Sequence, residues 1–179
     1  MSDQFHQLVE VVEKASVSND WQGAKSEWDV VDVSEDDSLS ENCICGQEQL
    51  KYLYTIENRL NHNVLFPIGS HCINQFKQTT MTTSATVYQK LLALVNAVKD
   101  NKFIELNATF FSRGMLKYLY DDGVFKASIY NKNDPYNDYK FLLDMFNKHS
   151  DPTSKQQAKI NALIMNAIIP YAEQRIKKG

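Results

Sequence analysis

The sequence lacks the features that mark several classes of protein. No apolar run approaches the roughly 20 residues that a membrane-spanning helix needs. The first residues have neither the basic nor the apolar segment of a secretory signal. Three cysteines cannot all pair with one another, which argues against a secreted disulfide scaffold. We therefore expect a cytoplasmic protein that does not engage a membrane.

The common catalytic motifs are also missing. The chain has no glycine-rich phosphate loop, no G-x-S-x-G, no H-E-x-x-H and no motif of paired carboxylates. Internal repeats and low-complexity segments are absent too. The sequence thus favours a protein that acts by binding over an enzyme.

The composition is that of a protein with a substantial core. Of the 179 residues, 43% are apolar and 23% are charged. We expect an α+β protein in which a small zinc-stabilised β-hairpin module belongs to a mainly α-helical body. The predicted division is an N-terminal helix plus metal module in residues 1–80 and a helical region in residues 81–179, packed together as one compact unit.

All three cysteines fall in two short clusters. Cys43-Ile44-Cys45-Gly46 forms the first, and Cys72 follows Gly69-Ser70-His71 in the second. Between them, residues 52–56 and 64–68 have the composition of two strands, and residues 58–63 have that of a turn. A treble-clef zinc module has this layout: a knuckle, then a hairpin, then a helix that carries further ligands.

Thiolate and imidazole groups in such clusters are the ligands of a tetrahedral Zn²⁺ site. The predicted ligands are Cys43, Cys45, Cys72 and His71, with His62 in the hairpin turn as an alternative fourth ligand. Four protein ligands would make the site structural, whereas three ligands and a water would give it catalytic character. The competing interpretation is that the cysteines are small buried apolar residues.

The remaining pattern is mostly helical. Apolar periodicity predicts an amphipathic helix over residues 4–15, and the composition of residues 28–33 predicts a first strand. Ser70 is a candidate N-cap for a helix that begins at His71. Further helices are predicted around residues 87–98, over 109–121, after Asp134-Pro135, and after Thr153, with Pro170 expected to kink or break the last one.

Charge is distributed unevenly along the chain. Residues 1–100 contain seven Lys or Arg against fourteen Asp or Glu, whereas residues 101–179 contain twelve against eight. An acidic stretch without any basic residue consists of Glu27, Asp29, Asp32, Glu35, Asp36, Asp37 and Glu41. Such a stretch is typical of a solvated loop, but it also suggests a surface for a basic protein partner. The basic residues are too dispersed to predict a phosphate-binding surface, so nucleic acid is retained only as an alternative partner.

Several short segments, spread over most of the chain, together form a recognisable sequence pattern. They are Glu27-Trp28, Cys43-Ile44-Cys45-Gly46, residues 54–61, residues 67–73, Phe76, Phe111-Ser112, Leu119-Tyr120 with Gly123 and Phe125, and residues 137–143. Together they resemble a family of uncharacterised bacterial and phage-borne proteins with a zinc-ribbon or treble-clef-like element. The resemblance implies that the cysteines, but not the histidines, are the shared part of this element. It implies no activity, and it suggests a role in phage or mobile-element biology.

Two further functions stay open at the level of sequence. One arrangement of residues would suit a cysteine nucleophile. It consists of Cys72 at a helix start, with His71 or His62 as the base. A nucleic-acid-binding accessory protein is the other alternative. A nucleophile does not normally accompany two more cysteines at ligand-like spacing, so a zinc-binding interaction protein is the favoured prediction.

Overall fold

A computed structural model describes residues 2–176 of the protein. It is mixed α+β, as expected, and it divides into two compact units, one extending to Tyr88 and the other from Gln89 to Ile176. The division lies eight residues beyond the predicted boundary at residue 80. The packing of both parts into one compact unit stays a prediction.

The first unit begins with an amphipathic helix, α1 (Asp3–Ala15), close to the predicted range. The Ser2 hydroxyl accepts a hydrogen bond from the Phe5 backbone N–H and caps the helix, while the side chains of Leu8 and Val12 are buried. A short helix, α2 (Trp21–Ala24), and a 3₁₀ turn lead to the sheet. The indole of Trp21 packs against the rings of Phe5 and Phe76, with centroids 5.7 and 5.3 Å away.

The sheet has three antiparallel strands in the order β1 (Trp28–Glu35), β2 (Tyr52–Asn58) and β3 (Val64–Ile68). The strands β2 and β3 form the predicted hairpin. Because β3 lies at an edge of the sheet, Pro67 is tolerated there although it has no N–H to donate. The register of β1 and β2 shifts between Val30 and Asp32, where Val31 forms a bulge.

Two helices follow the hairpin. The short α3 (Ser70–Gln75) begins one residue earlier than predicted, and its N-cap is Gly69 rather than Ser70. No side chain caps it, so the assignment of Ser70 as the cap was wrong. The long α4 (Thr79–Lys99) contains the point at which the two units divide.

The second unit contains four further helices: α5 (Arg113–Asp121), α6 (Pro135–Phe146), α7 (Ser154–Leu163) and α8 (Ile169–Arg175). The helix predicted over residues 109–121 starts only at Arg113, because Ser112 adopts an extended conformation and caps it. The capping box of Thr153 and Gln156 is present as predicted. A π-helical turn, Ile164–Ile168, joins α7 to α8 just before Pro170. Within residues 2–176, no helix combines the length and the apolar content that a membrane span requires.

Candidate metal centre

The first two cysteines lie in a tight turn between β1 and β2. The backbone N–H of Cys43 donates to the Gln47 carbonyl at 2.8 Å, and the Cys43 carbonyl accepts from the Gly46 N–H at 2.8 Å. Gly46 has φ +86°, a left-handed conformation that glycine adopts without a steric penalty. The sequence Cys-x-Cys-Gly therefore folds back on itself and turns both thiols to one side, as expected of a metal-binding knuckle.

Contacts to neighbouring elements hold the knuckle in place. The Ile44 backbone N–H donates to the Pro67 carbonyl at 3.0 Å, which ties the turn to β3. The Ile44 carbonyl in turn accepts a hydrogen bond from the Gln7 side chain of α1 at 3.0 Å. The knuckle is thus fixed by both its edge strand and the first helix.

The third cysteine reaches the knuckle from the first turn of α3. Gly69, just before this helix, lies close to Leu50, where an added Cβ would be only 2.9 Å from Leu50 Cδ2. The Gly69 backbone N–H donates to Cys43 Sγ at 3.3 Å. A backbone N–H directed at sulfur stabilises negative charge on a thiolate ligand.

The three thiols form one buried cluster. Cys43, Cys45 and Cys72 are at most 4% exposed, and their sulfur atoms all lie within 4.8 Å of one another. Cys72 Sγ is 3.6 Å from Cys43 Sγ and 3.1 Å from Cys45 Sγ, and none of the three forms a disulfide. Sulfur ligands of a tetrahedral zinc ion are about 3.8 Å apart, given Zn–S bonds of about 2.3 Å. The three cysteines therefore lie close enough together to hold a metal ion.

The cluster is electrostatically polarised. A hydrogen bond with Cys72 lowers the pKa of Cys43. Burial raises the pKa of Cys45, while the hydrogen bond with Cys43 and burial together raise the pKa of Cys72 well above its usual range. Negative charge on one sulfur is thus accommodated, but charge on all three needs a cation among them.

Neither candidate histidine is brought to the thiols. The exposed ring of His71 has Nε2 3.2 Å from the side-chain nitrogen of Gln75 on the same helix. The ring of His62 is exposed as well, with Nδ1 2.9 Å from a carboxylate oxygen of Glu57. Within the described residues, the cluster of potential metal ligands contains the three cysteines and no His, Asp or Glu. The fourth ligand stays a prediction.

The acidic stretch does not form a single exposed face. The carboxylate of Asp29 lies 3.5 Å from Arg59 Nε, and that of Glu35 lies 3.3 Å from Lys51 Nζ. Asp36 closes a loop by accepting hydrogen bonds from the backbone of Ser40 at 2.8 Å and the backbone of Ser38 at 2.9 Å. Hydrogen bonds from Ser38 and its neighbours hold the pKa of Asp36 well below its usual range. The exposed part of the stretch is the loop at residues 37–41, immediately before the knuckle.

Glu27, the first member of that stretch, is an internal residue. Its carboxylate accepts hydrogen bonds from the backbone N–H groups of Val17 and Ser18, both at 2.8 Å, and from Asn58 Nδ2 at 2.6 Å. Burial acts to raise the pKa of Glu27, but the hydrogen bonds from Ser18, Asn58 and Val17 outweigh it and lower the pKa to about 2. This carboxylate joins the loop after α1 to the end of β2. The sequence pattern does not predict that Glu27 is buried and hydrogen-bonded, because its partners are up to 31 residues away in the sequence.

Comparison of the chain with protein-family models, with curated proteins and with solved structures finds no match. The functional assignment therefore depends on the geometry of the chain's own residues.

Proposed function

We propose that Cys43, Cys45 and Cys72 bind one Zn²⁺ ion and that the protein is a zinc-stabilised interaction protein rather than an enzyme. The observation that carries the proposal is the burial of three sulfur atoms within 4.8 Å of one another. A close-packed set of three thiols from two chain segments supplies three of the four ligands of a tetrahedral zinc site, and a fourth protein ligand would make that site structural.

The donor type disfavours magnesium and calcium, and the treble-clef-like order of elements favours zinc among the metals that bind thiolates. Thiolates select zinc, copper(I) or iron–sulfur chemistry over magnesium and calcium, which prefer oxygen ligands. The order knuckle, hairpin, helix supports a treble-clef-like module, with Cys72 in the first turn of α3. The ion would stabilise the thiolate form of all three cysteines and connect the knuckle to the helix.

The fourth ligand of the proposed site is testable by substitution. Binding by His71 requires its ring to leave Gln75, and binding by His62 requires it to leave Glu57. A water molecule or a donor from a partner is the alternative. Zinc content that falls in His71→Ala would assign His71, and unchanged content in both His71→Ala and His62→Ala would assign an external ligand.

A binding role is supported by what surrounds Cys72. A cysteine nucleophile needs an accessible thiolate and a base within hydrogen-bond reach. Cys72 is 3% exposed, and both histidines contact other side chains. We propose a protein partner that presents basic groups to the exposed loop at residues 37–41 beside the knuckle.

The decisive experiment is elemental mass spectrometry of the untagged protein, purified without chelators. We expect about one zinc per chain, and loss of folded structure around the knuckle when a chelator removes it. Alkylation of the native protein is the complementary measurement. Thiols that resist alkylation until a chelator is added support the metal centre, whereas one fast-reacting thiol together with absent metal would support a nucleophile and refute the proposal.

A further inference from the structure

A second candidate site is a cleft of about 760 Å³ within the unit from Gln89 to Ile176. Leu163, Ala167 and Pro170, from α7, the π turn and α8, contribute much of its apolar lining. Small-molecule sites commonly have volumes of about 300–1,000 Å³ and mostly apolar walls. The size and the lining of this cleft therefore suit a small organic molecule with an apolar body.

The backbone that lines the cleft is irregular. In the π turn, the Ile169 N–H donates to the Ile164 carbonyl, five residues earlier rather than four. Such turns occur frequently at functional sites. Asp122 holds the following helix, because its Oδ2 accepts hydrogen bonds from the Tyr171 hydroxyl at 2.7 Å and from Arg175 at 2.6 Å. The carboxylate of Asp122 is thereby committed to the protein's own side chains.

The charges that line the cleft cancel. Two acidic residues, Asp122 and Asp138, face two basic ones, Lys126 and Lys159. The remaining polar residues of the lining are uncharged: Ser128, Tyr130, Asn166, Tyr171 and Gln174. A ligand with a net charge would enter this apolar cleft without a compensating charge. The balance of charge therefore favours a neutral ligand.

Asp138 supplies a hydrogen-bond acceptor that the protein does not use. The residue is 5% exposed, and its Oδ2 accepts a hydrogen bond from Asn131 Nδ2 at 2.7 Å. Its Oδ1 is buried and has no hydrogen-bond partner within the described residues. The ammonium of Lys159 lies 3.0 Å from Oδ1 and balances its charge, but not in hydrogen-bond geometry. A donor from a ligand would remove the cost of leaving this buried oxygen unsatisfied.

Lys159 has the complementary capacity to donate. An ammonium has three N–H donors, and the ion pair with Asp138 uses none of them in a hydrogen bond. The ammonium also lies 4.7 Å from the centre of the Phe141 ring. The side chain is 32% exposed, and its flexible four-carbon stem allows the charged group to shift. The pair thus offers an acceptor and a donor side by side.

We propose that this cleft binds a neutral, mainly apolar molecule that carries one carboxamide group. The apolar body packs on Leu163, Ala167 and Pro170. The amide N–H donates to Asp138 Oδ1, and the amide oxygen accepts from Lys159, whose ammonium moves aside to admit the N–H. Both contacts are charge-assisted hydrogen bonds, and neither adds a net charge to the cleft. This site shares no residue with the thiol cluster and does not depend on metal binding.

The test is an NMR titration of the ¹⁵N-labelled full chain with 2-naphthamide. Methyl 2-naphthoate is the matched control, because it has a similar shape and keeps the carbonyl acceptor but has no N–H. We expect saturable 1:1 binding of the amide, at least about ten-fold tighter than that of the ester. The charged 2-naphthoate should also bind more weakly than the amide, because its carboxylate would lie against that of Asp138. The amide signals that shift should belong to residues 122–126 and 159–174.

The variant Asp138→Asn tests the acceptor itself. Asn131 Nδ2 should continue to donate to the remaining side-chain oxygen, so the new NH₂ group takes the place of Oδ1. An acceptor is thereby exchanged for a donor with little change in shape. We expect the affinity for the amide to fall to that for the ester, and the affinity for the ester to stay the same.

A second pair of variants tests the apolar part of the cleft. Ala167→Leu, which fills the cleft, should weaken the binding of both the amide and the ester at least about ten-fold. Ala158→Leu, at an exposed position of α7 that does not line the cleft, should leave both affinities unchanged. If thermal melting shows that Asp138→Asn is unfolded, the amide-to-ester ratio of the wild type and the effect of Ala167→Leu decide the question.

Four results would each overturn the proposal. They are no binding of naphthamide to the wild type, binding of the ester or of naphthoate as tight as that of the amide, unchanged affinity in Ala167→Leu, and a retained preference for the amide in folded Asp138→Asn.

Discussion

The thiol cluster and the cleft are both candidate sites, but they arise from the chain in different ways. The cluster is assembled by short local structures, a glycine turn and the first turn of α3, that carry the cysteines. The cleft is assembled by packing of helices around a π turn, and its charged pair joins Asp138 of α6 to Lys159 of α7. The chemistry of a metal site is therefore visible in residue types, whereas a ligand cleft becomes visible only in three dimensions.

This difference also concerns stability. In the proposed metal centre, a cation would let all three thiols be negatively charged, and its binding free energy would add to folding only when the site is occupied. The carboxylates beside the cleft already have cationic partners from the chain itself. Removal of a ligand should consequently affect the two sites very differently.

The largest expected effect is that of Cys45→Ser. Loss of one thiolate should release the metal, and structural zinc sites contribute on the order of 10 kcal/mol of binding free energy to folding. We expect lost zinc and faster amide hydrogen exchange in residues 43–72, measured by mass spectrometry. His62→Ala serves as the control. Wild-type metal content and exchange in Cys45→Ser would remove this cysteine from the ligand set.

Glu27→Ala should have the next largest effect, although Glu27 touches neither site. It leaves the N–H groups of Val17 and Ser18 and the buried amide of Asn58 without their acceptor. We expect a loss of about 3 kcal/mol in the free energy of unfolding, measured by urea denaturation. Glu48→Ala, at an exposed position, should change it by less than about 0.5 kcal/mol. Equal effects of the two substitutions would refute the internal role of Glu27.

The pH dependence of stability should report on the carboxylate of Glu27. Its pKa is lowered from 4.5 to about 2 in the folded protein, so its contribution is fully present above pH 4.5. That contribution is lost as the pH falls from 4.5 toward 2, because over this range the unfolded state binds a proton that the folded state does not. We expect the stability difference between wild type and Glu27→Gln to shrink between pH 5.5 and pH 3, measured by urea denaturation at each pH. A difference that does not change over this range would contradict the lowered pKa.

The smallest expected effects come from a pair of glycines. Gly46→Ala forces a side chain into a left-handed conformation at the knuckle and should destabilise the protein by about 1–2 kcal/mol. Gly114→Ala lies in α5, where an added Cβ has its nearest neighbour 4.0 Å away, and should stabilise by about 0.5 kcal/mol. Thermal melting of both variants measures whether each substitution lowers or raises the stability of the protein. Stabilisation by Gly46→Ala would show that the knuckle does not require a left-handed residue.

Much of the fold follows from local sequence patterns. The hairpin, the amphipathic α1 and the caps at Asp134 and Thr153 depend on residues within a few positions of one another, so the pattern predicts them correctly. The boundaries are less well predicted. The helix α3 starts at Ser70 rather than His71, because Gly69 is the extended residue that precedes it and no side-chain cap marks the start.

The candidate site was predictable in its cysteines and not in its other features. Two cysteines in a tight turn and a third at the start of a helix predict a cluster of thiols, because this spacing is typical of metal ligands. His71 neighbours Cys72 in the sequence, but helical geometry directs adjacent side chains about 100° apart, and the ring contacts Gln75 instead. The burial of Glu27 and the pairing of Asp138 with Lys159 depend on tertiary contacts, so they emerge only from the structure.

The central claim, that three thiolates hold one zinc ion, is tested most directly by X-ray absorption spectroscopy at the zinc edge on the purified native protein. We predict about three sulfur ligands per zinc at about 2.3 Å, with a single nitrogen or oxygen ligand completing the shell. Loss of sulfur scattering in Cys72→Ser would tie the signal to this cluster. Zinc bound by nitrogen and oxygen alone, or no stoichiometric zinc in protein never exposed to chelators, would contradict the account.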